Sequence, residues 1–373
     1  MTEGLPAESP SSGAAPKKLV VCLDGTRNQI GAGRSTNPAK VFQMLDLDTP
    51  SEQMAYYDPG VGTLPAATVR GKLAQWGSQV AQMAFGFGMK ANMTQAYTWL
   101  MRNYRPDDKV YIFGFSRGAY TARALVGLLA RPGLLRSGSD NLVEYAVKEY
   151  IKRRPASGAD DEPPSDEVKQ FADALCWGTS RHLLNPDSPY CPTEWDHVHS
   201  IPVEYLGIWD TVEASGVGGI GEVSWPITKT LWNVRRLRHA VSIDESRAPY
   251  REFLVKPRDG FEEVWFSGVH SDVGGTFPEA ELSTIALKWV FDGVVADLNL
   301  RDRQAEKVYK QWCQVEESFA LAPIHENALA WKILLSHRRR IPHDAPIHVT
   351  VRARRANDPG YLVDLEIADN STR

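Results

Sequence analysis

Apolar and polar positions follow two rhythms along this chain. Solid apolar runs of strand length, such as VYIF (Val110–Phe113), give way to stretches with apolar residues every three or four positions, such as AYTARALVGLLA (Ala119–Ala130). The first pattern suits a strand buried on both faces, the second one face of a helix. KLVVCLDGT (Lys18–Thr26) predicts a buried strand ending in a turn, and TNPAKVFQML (Thr36–Leu45) a helix with Pro38 near its start. EQMAYYDPGVGT (Glu52–Thr63) predicts a second strand running into a Gly/Pro loop. MKANMTQAYTWLMRNY (Met89–Tyr104) predicts an amphipathic helix closed by Arg105-Pro106. PVEYLGIWDTV (Pro202–Val212) and EEVWFSGVHSDVGG (Glu262–Gly275) predict strands that end in polar residues and glycine, and AELSTIALKWVFDGVVADL (Ala280–Leu298) a long helix. HAVSIDESR (His239–Arg247) reads as a helix. Beyond Leu300 come helical stretches, then HVTVRARR and GYLVDLEIAD, a candidate C-terminal hairpin. Strands alternating with helices mean an α/β fold: a mostly parallel sheet with helices on both faces.

Two regions break the alternation. Residues 1–17, rich in Pro, Ser and Gly and without an apolar stretch of signal-peptide type, read as a disordered tail. From about Ser137 to Ser200 the chain is polar, charged and punctuated by prolines, as in RRPASGADDEPPSDE. This insertion reads either as a lid over a pocket or as a surface excursion. The domain organisation expected is thus a tail, a catalytic domain over 18–300 with that insertion at 137–200, and an extension over 301–373 packed on the same domain.

Composition narrows the function classes. The chain has 373 residues, 43% of them hydrophobic, enough for a large core. A net charge of −4 gives no basic surplus for nucleic acid. The four cysteines form no CxxC pair, which argues against a zinc site and a disulfide framework and suits a reducing compartment. With no window approaching a membrane span, the expected location is the cytoplasm, unless a signal-independent route exports the protein. The eleven tryptophans read as a bulky core or as the walls of an apolar groove.

The chemistry gathers at the strand-to-helix joint Gly114-Phe115-Ser116-Arg117-Gly118. A nucleophile on such a joint projects from a sharp turn, and glycines two before and two after it remove clashing β-carbons. Gly114 and Gly118 stand in those places around Ser116. A serine needs a base, and the base an orienting acid. Of the nine histidines, His270 follows a strongly apolar strand directly. Asp210 ends the strand YLGIWD, in the chain order Ser, Asp, His. Asp244, on the expected helix, and Asp272, two residues past His270, are the other acids; Asp272 fits a supporting role in the loop. The oxyanion donors expected are the amide of Arg117 and one from the LDGTRN turn, Gly25 or Thr26, with Asp24 accepting backbone hydrogen bonds there. A β-carbon at position 25 is expected to tilt those amides without touching the triad. The same DGT resembles the dehalogenase-type phosphatase motif, but Cys22 stands where that motif needs an aspartate nucleophile.

CLDGTRN, TNPAKVFQML, YYDPGVGT, FGFSRGAYTARALVGLL, IWDTVEASG and GVHSDVGGTFPEAELSTIALKWV, in this order, resemble the α/β-hydrolase family of otherwise uncharacterised proteins that includes the type VI secretion phospholipase effectors of the first lipase class. The similarity spans roughly Lys18 to Leu298. It implies a Ser-Asp-His esterase or phospholipase, with the nucleophile on Ser116, the acid on Asp210 and the base on His270. Thr276 stands where family members often carry a third glycine. The larger effectors' membrane-contacting segments have no evident counterpart here. The activity expected is hydrolysis of carboxylic esters, lipid-type or small, with transient contact with a membrane surface and no metal or organic cofactor. Acyl transfer to another alcohol, or a non-catalytic binding protein on the same fold, are the alternatives.

Overall fold

The structure, a computed structural model, describes residues 15–25, 35–60, 74–152, 165–178, 199–212, 225–301, 309–310, 312–326 and 339–362, with backbone alone for 74–87. Six strands form one sheet: β1 (Lys18–Leu23), β2 (Gln53–Asp58), β3 (Lys109–Phe115), β4 (Val203–Trp209), β5 (Val234–Ser242) and β6 (Phe261–Phe266). Their order is β2-β1-β3-β4-β5-β6, and every pairing is parallel. The fold is α/β.

The two-residue strand period assigns the core. On β1, Leu19, Val21 and Leu23 face the helices α2 (Ala74–Asn103), α3 (Arg117–Ala130) and α4 (Val143–Lys152). Val20 and Cys22 face α1 (Asn37–Met44) and α7 (Glu281–Asp292) on the other side. Both faces are dry, which is why the strands read as unbroken apolar runs. The chain leaves β1 in one direction to reach β2, then returns past it to build β3 on the opposite side. The carboxyl ends of β1 and β3 are therefore a topological switch point, where open parallel sheets bind their ligands.

Two expectations are corrected. His239–Ser242, read as helical, are the end of strand β5. Its arginines hid the strand pattern: Arg238 lies over the Trp289 ring at 5.1 Å and pairs with Glu262 at 2.9 Å, while Arg236 pairs with Asp297. The first arm of the expected C-terminal hairpin is instead helix α8 (Val349–Asn357). Val351 buries against Val241 and Trp265, and Arg354 and Arg355 sit in the last turn, where the helix dipole favours cations. Its second arm, from residue 363 on, lies outside the described residues.

The tail expected over 1–17 lies outside the described residues up to 14. Of the insertion, two α-helices are described, α4 and α5 (Asp166–Leu175), and a 3-10 turn at Asp140–Leu142. Val147 and Tyr150 of α4 belong to the main core, and the Tyr150 hydroxyl donates to the Pro226 carbonyl at 2.7 Å. Residues 153–164 and 179–198 lie outside the described residues. Cys22, Cys176 and Cys313 are free and buried. Among the described residues no helix is long and apolar enough to cross a membrane.

Candidate active site

Strand β3 ends at Phe115 and helix α3 begins at Arg117, so the whole turn is Ser116. Its φ of 59° and ψ of −124° are strained for any residue with a β-carbon. The turn is possible because its neighbours have none. A β-carbon on Gly114 would meet the Gly118 carbonyl oxygen at 2.7 Å, and one on Gly118 would meet the Leu23 carbonyl oxygen at 2.3 Å. The strain aims Ser116 Oγ over the carboxyl edge of the sheet.

Asp210 follows β4 immediately and also has positive φ, 38°. His270 opens the short helix α6 (His270–Gly274) beyond β6. The three side chains, far apart in sequence, form one line. His270 Nε2 lies 2.8 Å from Ser116 Oγ, and His270 Nδ1 lies 2.6 Å from Asp210 Oδ2. An ionised carboxylate only accepts, so the ring proton sits on Nδ1 and Nε2 is left to accept from the serine hydroxyl. The Phe115 ring, with its centroid 4.6 Å away, and the Tyr250 ring, at 4.9 Å, hold the imidazole between them.

Electrostatics keep these protonation states. Burial pushes the Asp210 carboxyl up, but the Arg339 guanidinium and His270 more than reverse this and hold it well below the usual carboxylate range. Burial pushes the His270 imidazole down; its hydrogen bond to Asp210 opposes the shift without cancelling it. Near pH 7 the pair is carboxylate and neutral imidazole, a base ready to take a proton.

The loop after β1 lies against Ser116. Asp24 is buried and accepts from Thr36 Oγ1, from the Tyr57 hydroxyl at 2.7 Å and from the Gly25 amide at 3.1 Å, as expected of a turn anchor. The Gly25 amide therefore reaches a substrate oxygen only by sharing or leaving Asp24. Thr26 lies outside the described residues. Arg117 is the first residue of α3, where amides point out of the helix end, and its guanidinium holds the Gly25 carbonyl at 3.1 Å. The expectation for a β-carbon at position 25 is corrected: it would touch Ser116 itself, at 2.8 Å from Cβ and 3.3 Å from Oγ. Gly25→Val should lower kcat by about 10²–10³, the cost of a lost oxyanion donor, with the displaced serine adding to it. Steady-state kinetics on a short-chain ester, with thermal melting alongside, measures this. A folded variant turning over at the parent rate would make the loop purely structural.

Asp272 is brought to the same loop but not to the serine. It accepts from the Val269 amide at 3.0 Å and pairs with His325 at 2.6 Å, so it shapes the start of α6. Asp244 is half-buried away from the histidine ring and accepts from the Gly268 amide at 2.7 Å and the Tyr361 hydroxyl at 2.8 Å. Gly274 leaves room for the Phe115 ring, which a β-carbon would meet at 1.9 Å. Thr276 has φ 136°, a conformation suited to glycine, so the departure from the family's glycine is borne by the backbone. Cys22 points into the core and its thiol is pushed well up by burial, which removes the phosphatase comparison.

Sequence reasoning missed several contributors. The Ser242 amide donates to Asp210 Oδ1 at 2.9 Å. Glu245, buried and paired with Arg247, accepts from the His270 amide at 3.2 Å. His239, wholly buried, accepts from the Thr211 amide at 3.2 Å beside Asp210 and faces Glu263 at 2.8 Å. Arg339 reaches Asp210 from the C-terminal extension. The strand misread as a helix concealed the first three, since Ser242, His239 and Glu245 lie on or just past β5.

Together these observations define a parallel α/β protein with a strained serine turn at its switch point. The chain belongs to the T6SS Tle1-like phospholipase effectors: the sequence model of that family's catalytic domain matches residues 17–293. An uncharacterized protein of Saccharomyces cerevisiae is 29% identical over 256 residues, 68% of this chain and 34% of that protein. Among solved structures, an uncharacterized protein from Pseudomonas aeruginosa is 18% identical with a TM-score of 0.43, covering 82% of this chain and 49% of that one. The Tle1 effector bound to the VgrG spike of the type VI secretion system is 14% identical with a TM-score of 0.36, covering 74% and 54%. The chain thus spans about a third of its yeast relative and about half of each solved chain.

Proposed function

We propose that this chain is a serine hydrolase that cleaves carboxylic esters carrying lipid-type acyl chains. The observation that carries the reading is the unbroken line Ser116–His270–Asp210, with contacts of 2.8 and 2.6 Å, on a strained turn. Ser116 Oγ attacks the ester carbonyl carbon while His270 Nε2 takes its proton. Asp210 holds the Nδ1 proton and stabilises the imidazolium. The amide of Arg117 and one from the Gly25–Thr26 turn stabilise the oxyanion. The carbon–oxygen bond to the leaving alcohol then breaks as His270 returns the proton to that alcohol. Water, deprotonated by His270, attacks the acyl-serine; the acid leaves and Ser116 regains its proton. Residues 18–300 form the catalytic domain in this reading, with 301–373 an extension packed on it. Contact with a membrane surface would be transient.

The test pairs a chemical label with a substrate series. A fluorophosphonate should attach to Ser116, located by peptide mass, and should block turnover of p-nitrophenyl esters and of phospholipid vesicles in step. Turnover that rises with acyl length supports lipid-type substrates. Labelling without hydrolysis of any ester, but with acyl transfer to an added alcohol, would make the protein an acyltransferase. Absence of both label and turnover would leave a binding protein and overturn the reading.

A further inference from the structure

We propose that Arg339 is a positioning residue of this centre: its guanidinium grips both oxygens of Asp210 and, through them, fixes His270 and offsets the charge behind it. The inference rests on the serine-hydrolase reading above. Arg339 lies beyond residues 17–293, the part the family's sequence model matches, so the extension supplies it. Its side chain and that of Asp210 are each only 1% exposed.

The geometry leaves the carboxylate no freedom. Oδ2 accepts from His270 Nδ1 at 2.6 Å, from Arg339 Nη2 at 3.0 Å and from Ser242 Oγ at 3.3 Å. Oδ1 accepts from the Ser242 amide at 2.9 Å and from Arg339 Nη1. A fork of this kind fixes a carboxylate plane in a way a single point charge does not. The guanidinium is fixed in turn: Nη1 donates to the Ser242 carbonyl at 2.9 Å and Nη2 to the Tyr250 carbonyl at 2.6 Å. Its ligands therefore come from the ends of β4 and β5 and from the segment carrying Tyr250, whose ring packs on His270. One side chain of the extension ties together three pieces of the site.

The charge has a consequence as well. A lone buried carboxylate beside an imidazole favours the imidazolium, which cannot act as the base. The guanidinium makes Asp210 half of a neutral pair and reduces that pull. Among the described residues, the other ionisable groups facing His270 are Glu245, already neutralised by Arg247, and the Tyr250 phenol, with Asp272 on its own helix paired to His325. Arg339 thus lets the base stay neutral, and the enzyme active, further into acid. In its absence the imidazolium gains stability, the histidine pKa rises, and the acid limb of kcat/KM moves to higher pH.

The experiment compares Arg339→Gln and Arg339→Lys with the parent on a soluble p-nitrophenyl ester from pH 5 to 9. The glutamine variant should move the acid limb up by about one pH unit. It should also lower plateau kcat about ten- to a hundredfold with KM nearly unchanged, the scale of a misplaced catalytic group. The lysine variant keeps the charge but loses the fork, so its acid limb should stay near the parent's while kcat falls. In an Asp210→Asn background, Arg339→Gln should cost nothing further. An unmoved acid limb, or an equal loss in both backgrounds, would reduce Arg339 to a structural strap and overturn the proposal. Should the glutamine variant not fold, the lysine variant decides by its split between kcat and the acid limb. The low-field Nδ1 proton of His270 is a further check: its titration midpoint should lie higher in Arg339→Gln than in the parent, and equal midpoints would also overturn the proposal. Fluorophosphonate labelling of parental Ser116 separates the two readings, since its absence sinks the hydrolase itself, whereas labelling with an unmoved limb sinks only the role of Arg339.

Discussion

Ser116→Ala should abolish ester turnover while leaving the fold in place. The substitution removes one oxygen atom, whose described partner is His270 Nε2 at 2.8 Å. It leaves the β-carbon and the backbone untouched. The Ser116 amide still donates to the Trp209 carbonyl at 3.0 Å, and the Ala119 amide still meets the carbonyl of residue 116 at 3.1 Å. Alanine carries the strained φ of 59° no worse than serine, so circular dichroism and the melting temperature should match the parent closely. Turnover should fall on the order of 10⁶-fold, the loss seen when the serine of another triad is removed, equivalent to about 8 kcal/mol of barrier. Substrate binding should survive, because nothing but this one oxygen is removed. The assay is single-turnover hydrolysis of a p-nitrophenyl ester and of phospholipid vesicles by purified variant and parent. A variant retaining even a tenth of the parent rate would mean that Ser116 is not the nucleophile.

How far the sequence revealed this site depended on whether each signal was local. The serine turn was legible because strand, glycine, serine, glycine and helix are contiguous, and each carries its own physical requirement. Asp210 and His270 were legible because each sits at the polar end of an apolar strand. Strand β5 was not. Its Arg235, Arg236 and Arg238 interrupt the apolar run expected of a buried strand, and Trp289, Glu262 and Asp297 receive two of them. That error hid Ser242 and Glu245. Arg339 left no trace at all, since it meets Asp210 across 129 residues and sits in HRRR, a run that reads as surface charge. The β-branched residues of HVTV suggested a strand, but the burial of Val351 against Trp265 fixed a helix instead. Local propensity yielded to packing there.

Asp210→Asn should cost roughly 10⁴ in turnover, and the hydrogen bonds give the reason. All five described partners of this carboxylate donate to it: the Ser242 amide and hydroxyl, two nitrogens of Arg339, and His270 Nδ1. An amide side chain keeps one accepting oxygen. The backbone amide of Ser242 and Arg339 Nη1 converge on the Oδ1 position, so the carbamoyl oxygen belongs there. The NH₂ group then takes the place of Oδ2, facing His270. The imidazole can meet it only by accepting at Nδ1, which moves the ring proton to Nε2, against the serine hydroxyl. In that tautomer the base cannot take the serine proton, and the line of contacts survives with its direction reversed. The same change leaves Arg339 Nη2 facing a donor and its buried charge without a counter-ion, a loss of about 3–5 kcal/mol for a pair this deeply buried. The melting temperature should therefore drop along with the rate, unlike that of Ser116→Ala. Removing the stranded cation in Asp210→Asn/Arg339→Gln should recover stability but not turnover, which separates the tautomer effect from unfolding. Asp244→Asn and Asp272→Asn should cost far less turnover, because neither carboxylate contacts the His270 ring. Fluorophosphonate labelling, which needs the same base, should slow in Asp210→Asn by a similar factor. A folded Asp210→Asn enzyme within tenfold of the parent, or a larger loss at Asp272 than at Asp210, would overturn the assignment of the acid.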